Sequence, residues 1–402
     1  MRVLMINSVC GIRSTGRICT DLAEILERQG HQVKIAYGRE SVPERFQKYA
    51  VRIGNDMDVR LHGIRSRVLD AHGFGSAGVT RRFIEWVKEY DPDVIHLHNL
   101  HGYYINIELL FRYLKTFGKR IVWTLHDCWA FTGHCSHFDY IGCDRWKTGC
   151  FSCPQLREYP SSWLRDGSRD NYQKKRDLFC GVPNLRIVTP SEWLARTARQ
   201  SFLGEYPIRA IYNGIDLDCF RPTEGAFASE YGLEGKKIVL GVSSVWNSKK
   251  GLDDFIKLAD LLDDSYRIVL VGLSEKQIRQ LPPSILGIER TNDIRSLCEI
   301  YTAAYAFVNP SVEETMGLTT AEALACGTPV IVYNRTAVPE VVDEQCGIVL
   351  KENSPQAIAQ ALSALSFDKE NCLRRAGDFD KSEKYREYLD FYQAEEAAIT
   401  VS

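Results

Sequence analysis

The chain has 402 residues, 45% of them hydrophobic and 25% charged. That suits a globular protein of two domains at about 100–200 residues each, and excludes a disordered, collagen-like or coiled-coil chain. Fifty basic against 52 acidic side chains leave a formal charge of −2, too near neutral for a bulk nucleic-acid binder, which needs basic residues on phosphates.

The opening MRVLMINSVCGIR reads as a first strand rather than a signal peptide. No run of about 18 apolar residues marks a membrane span. With no export signal the expected setting is the reducing cytoplasm, where thirteen cysteines do not form a disulfide framework. After VLMIN (3–7), apolar residues at Ile18, Leu22, Ile25 and Leu26 predict a helix that Gly30 ends. VKIAYG, VIHLH (94–98), RIVWTLHD (120–127), RIVTPS (186–191) and IRAIYNG (208–214) predict further strands, several with helical patterns between them. The alternation then restarts with KIVLGVSS (237–244), the helical GLDDFIKLADLL, and the strands YRIVLVG, YAFVNPS and TPVIVYN. Strand–helix alternation in two halves predicts two Rossmann-like, doubly wound parallel-sheet α/β domains, with ligands at the carboxyl ends of the strands, facing a cleft. The expected limits are 1–212 for the N-terminal domain, 213–380 for the C-terminal domain, and a polar C-terminal helix over 381–402 that packs back on the first domain.

The stretch NPSVEETMGLTTAEALACGTPVI (309–331) carries the most information. A strand end, a polar loop with Glu313 and Glu314, and a helix starting near Thr319 offer free backbone N–H groups and a positive dipole to a phosphate. Carboxylates before and inside that helix can accept hydrogen bonds from sugar or ribose hydroxyls. Two plainer readings stay open: Glu322, three residues after Thr319, also fits a capping box, and Glu314 also fits a charge on a loop.

Glu314 and Glu322, followed by ALACGTPVI and VPEVVDEQCGIVL, resemble glycosyltransferase family 4, the retaining enzymes of GT-B fold. STGR (14–17) in the first loop, HLHN (96–99), TLHD (124–127), TPSEWL (189–194) and NGIDLDCF (213–220) follow in family order over essentially the whole chain. The overall look is of bacterial enzymes that build capsule or exopolysaccharide. The resemblance implies transfer of a sugar from a nucleoside diphosphate sugar, a UDP-sugar ahead of a GDP-sugar, to a glycan acceptor, lipid-linked, at the inner face of a membrane. It implies that Glu314 contacts the donor sugar as charge develops, and that Glu322 binds the ribose. Thr315, Met316, Gly317 and Leu318 would offer backbone to sugar and diphosphate, and Lys250 would face the diphosphate. Gly16 would let the first loop approach the phosphates, His126 would lie near the reacting carbon, and His98 and Asn99 would line the acceptor side. One departure is that Ser244 stands where the family carries an arginine, leaving Lys249 or a distant arginine to supply the second cation. No Asp-x-Asp pair ends a strand, which suits catalysis without a metal cofactor. A nucleotide-sugar epimerase on the same scaffold and a non-catalytic nucleotide-sugar-binding protein are the rival readings.

All nine histidines lie between His31 and His137. His96 and His98 share a strand face; they read as half a metal site, or as one packed and one acceptor-facing side chain. Within the insert 128–153, Cys150 and Cys153 have the spacing of a metal knuckle, and Cys135 and Cys143 complete a tetrahedral thiolate set for structural zinc. Free thiols, a redox pair, and Cys128, His134 or His137 as fourth ligand are the alternatives. Arg60, Arg65, Arg67, Arg81, Arg82 and Lys88 make a basic segment, either a solvated face or a contact for an anionic membrane.

Overall fold

The computed structural model describes residues 1–291 and 293–393; the end of the expected C-terminal helix, 394–402, lies outside the described residues. The chain divides into two compact units, one of Met1–Tyr212 with the segment from Tyr385 on, the other of Asn213–Lys384.

The first unit holds a sheet of β1 (Arg2–Ile6), β2 (Gln32–Tyr37), β3 (Ala50–Arg52), β4 (Val94–Leu97), β5 (Arg120–Thr124), β6 (Leu185–Thr189) and β7 (Ile208–Ala210). Their order is β3-β2-β1-β4-β5-β6-β7, and every pairing is parallel. A parallel sheet is buried on both faces, so its strands read as apolar runs. Along β1 the pleat sends Leu4 and Ile6 into one core and Val3 and Met5 into the other. Helix α1 (Arg13–Arg28) buries Ile18, Cys19, Leu22, Ala23 and Leu26. After it, Gly30 takes a left-handed φ of 81° and its N–H donates to the Glu27 carbonyl at 2.9 Å, as a helix stop requires. The STGR segment expected in a loop is inside this helix. Helix α2 (Asp56–Leu69) starts with a complete capping box between Asn55 and Asp58.

The second unit holds β8 (Lys237–Val242), β9 (Tyr266–Val271), β10 (Ile285–Ile288), β11 (Ala306–Asn309), β12 (Val330–Tyr333) and β13 (Gly347–Leu350). The order β10-β9-β8-β11-β12-β13 is again all parallel. The order in which successive strands are added switches from one side of the sheet to the other between β1 and β4 in the first unit and between β8 and β11 in the second. Loops leaving these strands are where such sheets bind ligands. Helix α3 (Leu318–Ala325) follows β11.

Strands β3, β10 and β13, the edge and late strands, were not expected from the sequence. All three are short edge strands with partly exposed side chains, so neither a long apolar run nor a clean alternation announces them. Helix α4 (Lys381–Gln393) buries Tyr385, Tyr388, Phe391 and Tyr392 in the core that holds Val3 and Met5. Burial of each such ring is worth up to about 1.5–3 kcal/mol. Tyr392 Oη also reaches His96 Nδ1 at 2.6 Å, and Arg186 Nη1 donates to the Phe391 carbonyl at 3.1 Å.

Candidate active site

The loops after β8 and β11 meet as two short zippers of charge. Lys250 Nζ donates to Glu314 Oε1 at 2.6 Å and to the Glu313 carbonyl at 3.0 Å. Lys249 Nζ pairs with Glu313 Oε2 at 3.3 Å, and the Val312 N–H donates to the Lys249 carbonyl at 3.0 Å. Two local features hold the lysines. Asn247 caps the turn Ser248–Lys250 through its side chain to the Lys250 N–H. Gly251, at φ 77°, lies so close to Pro310 that a Cβ would come within 2.3 Å of its ring. On the other side Asn309 ties β11 to the helix, its Nδ2 donating to Thr320 Oγ1 at 3.0 Å. The Glu314 N–H donates to Thr336 Oγ1 at 3.1 Å.

Glu314 and Lys250 are partly exposed, with side-chain exposures of 24% and 27%, whereas the Glu313 side chain is 4% exposed. The outer pair can therefore meet a ligand, whereas in the inner pair Glu313 is embedded and only Lys249, 22% exposed, reaches the surface. An ammonium has three donors, and two of those on Lys250 are used. The third remains for an anion.

Helix α3 begins at Leu318, one residue before the expected start, with Gly317 as N-cap at φ 91° and no side-chain cap. The capping box read from Thr319 and Glu322 is therefore corrected: the left-handed glycine takes the cap position, and Glu322 lies further inside the helix. Its Oε2 instead accepts from the buried Tyr301 hydroxyl at 3.1 Å. Met316 is buried, and its Sδ accepts from the Asn213 N–H at 3.2 Å. Thr315, Gly317 and Leu318 form the approach to a helix end whose first amides have no intrahelical acceptor. Ser244 is exposed, and nearby Trp246 is a core residue, buried and donating to the Val271 carbonyl at 2.8 Å.

In the first unit, β4 and β5 carry the histidines. His96 is fully buried, with both ring nitrogens in use: Nδ1 to Tyr392 and Nε2 to Thr124 Oγ1 at 2.7 Å. It is a packed histidine, so His96 and His98 do not make half a metal site. His98 Nδ1 meets His126 Nε2 at 3.0 Å, and His98 Nε2 is buried without a partner. Burial pushes His126 down to about 4, so this pair is neutral near pH 7. Beside it, Asp127 Oδ2 bonds His101 Nε2 at 2.7 Å, and His101 Nδ1 meets Tyr159 Oη at 3.0 Å. Although burial acts to raise it, Asp127 is held at about 2 by His101 and by the Trp129 N–H. Asn99 donates its backbone N–H to Asn7 Oδ1 at 3.2 Å. Gly16 sits in the first turn of α1, where a Cβ would press on Val9 and the Gly11 N–H at 3.1–3.2 Å; its lack of a side chain seats the helix on the loop after β1.

A family model described as Glycosyltransferase Family 4 matches residues 15–219, just over half of the chain, and one described as Glycosyl transferases group 1 matches residues 236–368. The chain belongs to glycosyltransferase family 4. Over 98% of its length this family 4 chain is 27% identical to a protein named for colanic acid biosynthesis, the glycosyl transferase WcaC of Escherichia coli K12, all of which is covered. It is 29% identical to 51% of a processive diacylglycerol alpha-glucosyltransferase of Acholeplasma laidlawii, over 40% of this chain. Among solved structures, sucrose-phosphate synthase of Thermosynechococcus elongatus superposes with a TM-score of 0.71 at 16% identity, covering 98% of both chains. Anabaena HepE in complex with UDP-glucose gives 0.66 at 15% identity, over 98% of this chain and 99% of that one. At these identities the likeness is one of fold, the GT-B fold of two parallel α/β domains.

Within this glycosyltransferase the partners to which sequence reasoning gave no role of their own are Glu313, Asn309, Thr336, Tyr301, His101 and Asp127. Only Asp127, next to His126, and Glu313, next to Glu314, had a local signal; the others are brought in by the sheet. The insert contains two 3-10 turns, Trp129–Phe131 and Arg145–Lys147. It packs Trp129, Phe131, Phe138 and Trp146 into the main core. Cys135, Cys143, Cys150 and Cys153 all line one small cavity, with Cys135 and Cys153 hydrogen-bonded to each other. Among the described residues, no group of three or more His, Cys, Asp or Glu side chains is already arranged to hold a metal ion.

Proposed function

We propose that this glycosyltransferase moves a sugar, with retention of configuration, from a nucleoside diphosphate sugar to a lipid-linked glycan of a bacterial surface polysaccharide. The observation that carries the reading is Lys250: it is anchored by two acceptors and keeps a third N–H for a diphosphate oxygen. The barrier to breaking the sugar–diphosphate bond falls when prepositioned donors meet the charge that develops on the leaving group. Lys250 and the first amides of α3 supply such donors. Glu314 holds the ammonium in the resting state and contacts the donor sugar; Glu322, beside Tyr301, takes the ribose; His126 and His98 serve the sugar and acceptor. No metal cofactor is invoked. Named neighbours of this fold bind UDP and UDP-glucose, which favours a UDP-sugar.

A cytoplasmic protein with peripheral membrane contact is part of the proposal. Among the described residues no helix is long and apolar enough to cross a membrane. Helix α2, however, is turned inside out. His62, Gly63 and Ser66 face inward, while Met57, Leu61, Ile64 and Leu69 are 45–64% exposed, with exposed Arg60 and Arg65 among them. Trp163, 54% exposed, donates its N–H to the Arg67 carbonyl and so extends the patch. Apolar side chains interleaved with arginines suit an anionic bilayer surface.

The deciding experiment incubates the protein with a panel of UDP- and GDP-sugars and a lipid-linked acceptor, and reads the product's anomeric configuration by NMR. The expected product has the donor's configuration. An inverted product, or conversion of donor sugar without any acceptor, overturns the reading.

A further inference from the structure

The Cys-rich insert forms a chemical centre apart from the transfer site. Cys135, Cys143, Cys150 and Cys153 line a cavity of about 20 Å³, room for one water-sized body. Three features beyond the thiols point to the same place. His134 also lines it; its side chain is fully buried, with Nδ1 on Asp70 Oδ1 at 2.6 Å and Nε2 without any partner. The Gly133 N–H donates to Cys150 Sγ at 3.2 Å, a contact that favours a thiolate. On the cavity's inner side Thr132, another lining residue, accepts from Lys175 Nζ at 3.0 Å.

Lys175 is the feature hardest to explain otherwise. It is 1% exposed, donates only to the carbonyls of Trp129 and Thr132, and lies 3.5 Å over the Trp129 ring. Its hydrogen bonds go to carbonyls rather than to a carboxylate, with Asp70 and Asp127 acting on it only through space. A buried ammonium costs several kcal/mol unless an anion compensates it. A zinc ion with four thiolates carries two net negative charges, and the fully buried Asp70 braces His134 in the way a carboxylate orients a histidine at a metal centre.

We propose that this cluster binds one structural zinc ion through Cys135, Cys143, Cys150 and Cys153, with Lys175 offsetting its negative charge and His134 packing against the site as a brace held by Asp70. In the ligand-free arrangement Cys135 and Cys153 hydrogen-bond to one another, so binding turns thiol side chains toward the cavity and releases their protons. Four protein ligands close the coordination sphere, and the ion takes no part in sugar transfer.

The test begins with elemental analysis of the full-length protein purified without chelator, followed by replacement with Co²⁺ and absorption spectroscopy. About one zinc per chain is expected, with intense thiolate-to-cobalt charge-transfer bands after exchange. Protein that is folded by circular dichroism, zinc-free and unable to take up cobalt overturns the proposal. Because cysteine variants can fail to fold, His134→Gln and Lys175→Met are compared with wild type for the rate at which a chromogenic chelator captures zinc. Faster release from both, at full initial loading, is expected. Release at the wild-type rate from both variants refutes the supporting role of these two side chains. A Cys143→Ser protein that keeps full zinc, beside a His134→Gln protein that has none, overturns the ligand set.

Discussion

Lys249 and Lys250 are neighbours with opposite expected phenotypes, and replacing each by alanine separates chemistry from folding. Lys250 has an exposed partner and an unused N–H. Its loss removes one donor from the leaving diphosphate, typically about 2.7–4 kcal/mol, or a hundred- to a thousandfold in turnover. The stability lost is small, because an ion pair with both partners about a quarter exposed is worth at most about 1 kcal/mol. Lys249 faces the embedded Glu313. Its removal weakens compensation of a buried carboxylate, costing about 1–3 kcal/mol, and at roughly 2–4 °C per kcal/mol for a domain of this size the melting temperature falls by several degrees. Turnover measured well below the transition stays within a fewfold of wild type. Lys250→Arg regains only part of the activity, since a planar fork does not reproduce a compact ammonium. The assays are kcat and KM for the donor beside thermal melts of the same preparations. If Lys249→Ala loses more turnover than Lys250→Ala, the assignment of the diphosphate cation is wrong, and Lys249 rather than Lys250 takes that role.

Other outcomes follow from contacts already described. Glu322→Ala raises the apparent Kd for nucleotide and destabilises by leaving the buried Tyr301 hydroxyl unpaired, while Tyr301→Phe leaves nucleotide affinity near wild type; equal affinity losses in both would remove Glu322 from the ribose. Tyr392→Phe orphans His96 Nδ1 and costs about 1–3 kcal/mol in urea unfolding, with donor affinity unchanged; an unshifted midpoint would mean the terminal helix does not seal this core. Burial lowers His62 and His126 to about 4 from 6.5, so the unfolded chain binds more protons in that interval. Stability from these residues is complete above about pH 6.5 and is lost as pH falls toward 4. His62 adds a geometric reason, because its Nε2 accepts the Gly73 and Gly75 N–H groups at 3.3 and 3.1 Å and cannot do so when protonated. His62→Gln should flatten this acid limb in pH-dependent melts, and an unchanged limb contradicts the assignment.

The fold was largely legible because parallel sheets bury both faces, so most strands announce themselves as apolar runs between helical periods. Legibility failed where that physics is weak. Edge strands β3 and β10 have half-exposed, short segments. The terminal helix reads as polar, KSEKYREYLDFYQ, yet its three tyrosines and one phenylalanine at Tyr385, Tyr388, Tyr392 and Phe391 form a buried face. The partner that makes this favourable, His96, is 296 positions away, and no local pattern encodes such a contact.

The proposed transfer site shows the same division more sharply. Lys250 and Glu314 were named from motifs 64 positions apart, and topology explains their meeting: β8 and β11 are neighbours at the point where the order of strand addition switches sides. What a motif does not carry is how two adjacent like residues divide their roles. Sequence alone left Glu313 and Lys249 as neighbours of the important pair. The structure buries Glu313 and pairs it with Lys249, so the loop's own cohesion is handled by one lysine–glutamate pair and the other is left exposed to a ligand. The same logic separates Glu322 from a cap. A cap residue must precede the helix, and once Gly317, free to adopt a left-handed φ, takes that position, the carboxylate one turn inside is released from capping. The proposed donor site therefore depends on a glycine and on a buried carboxylate, Glu313, held by the partly exposed Lys249.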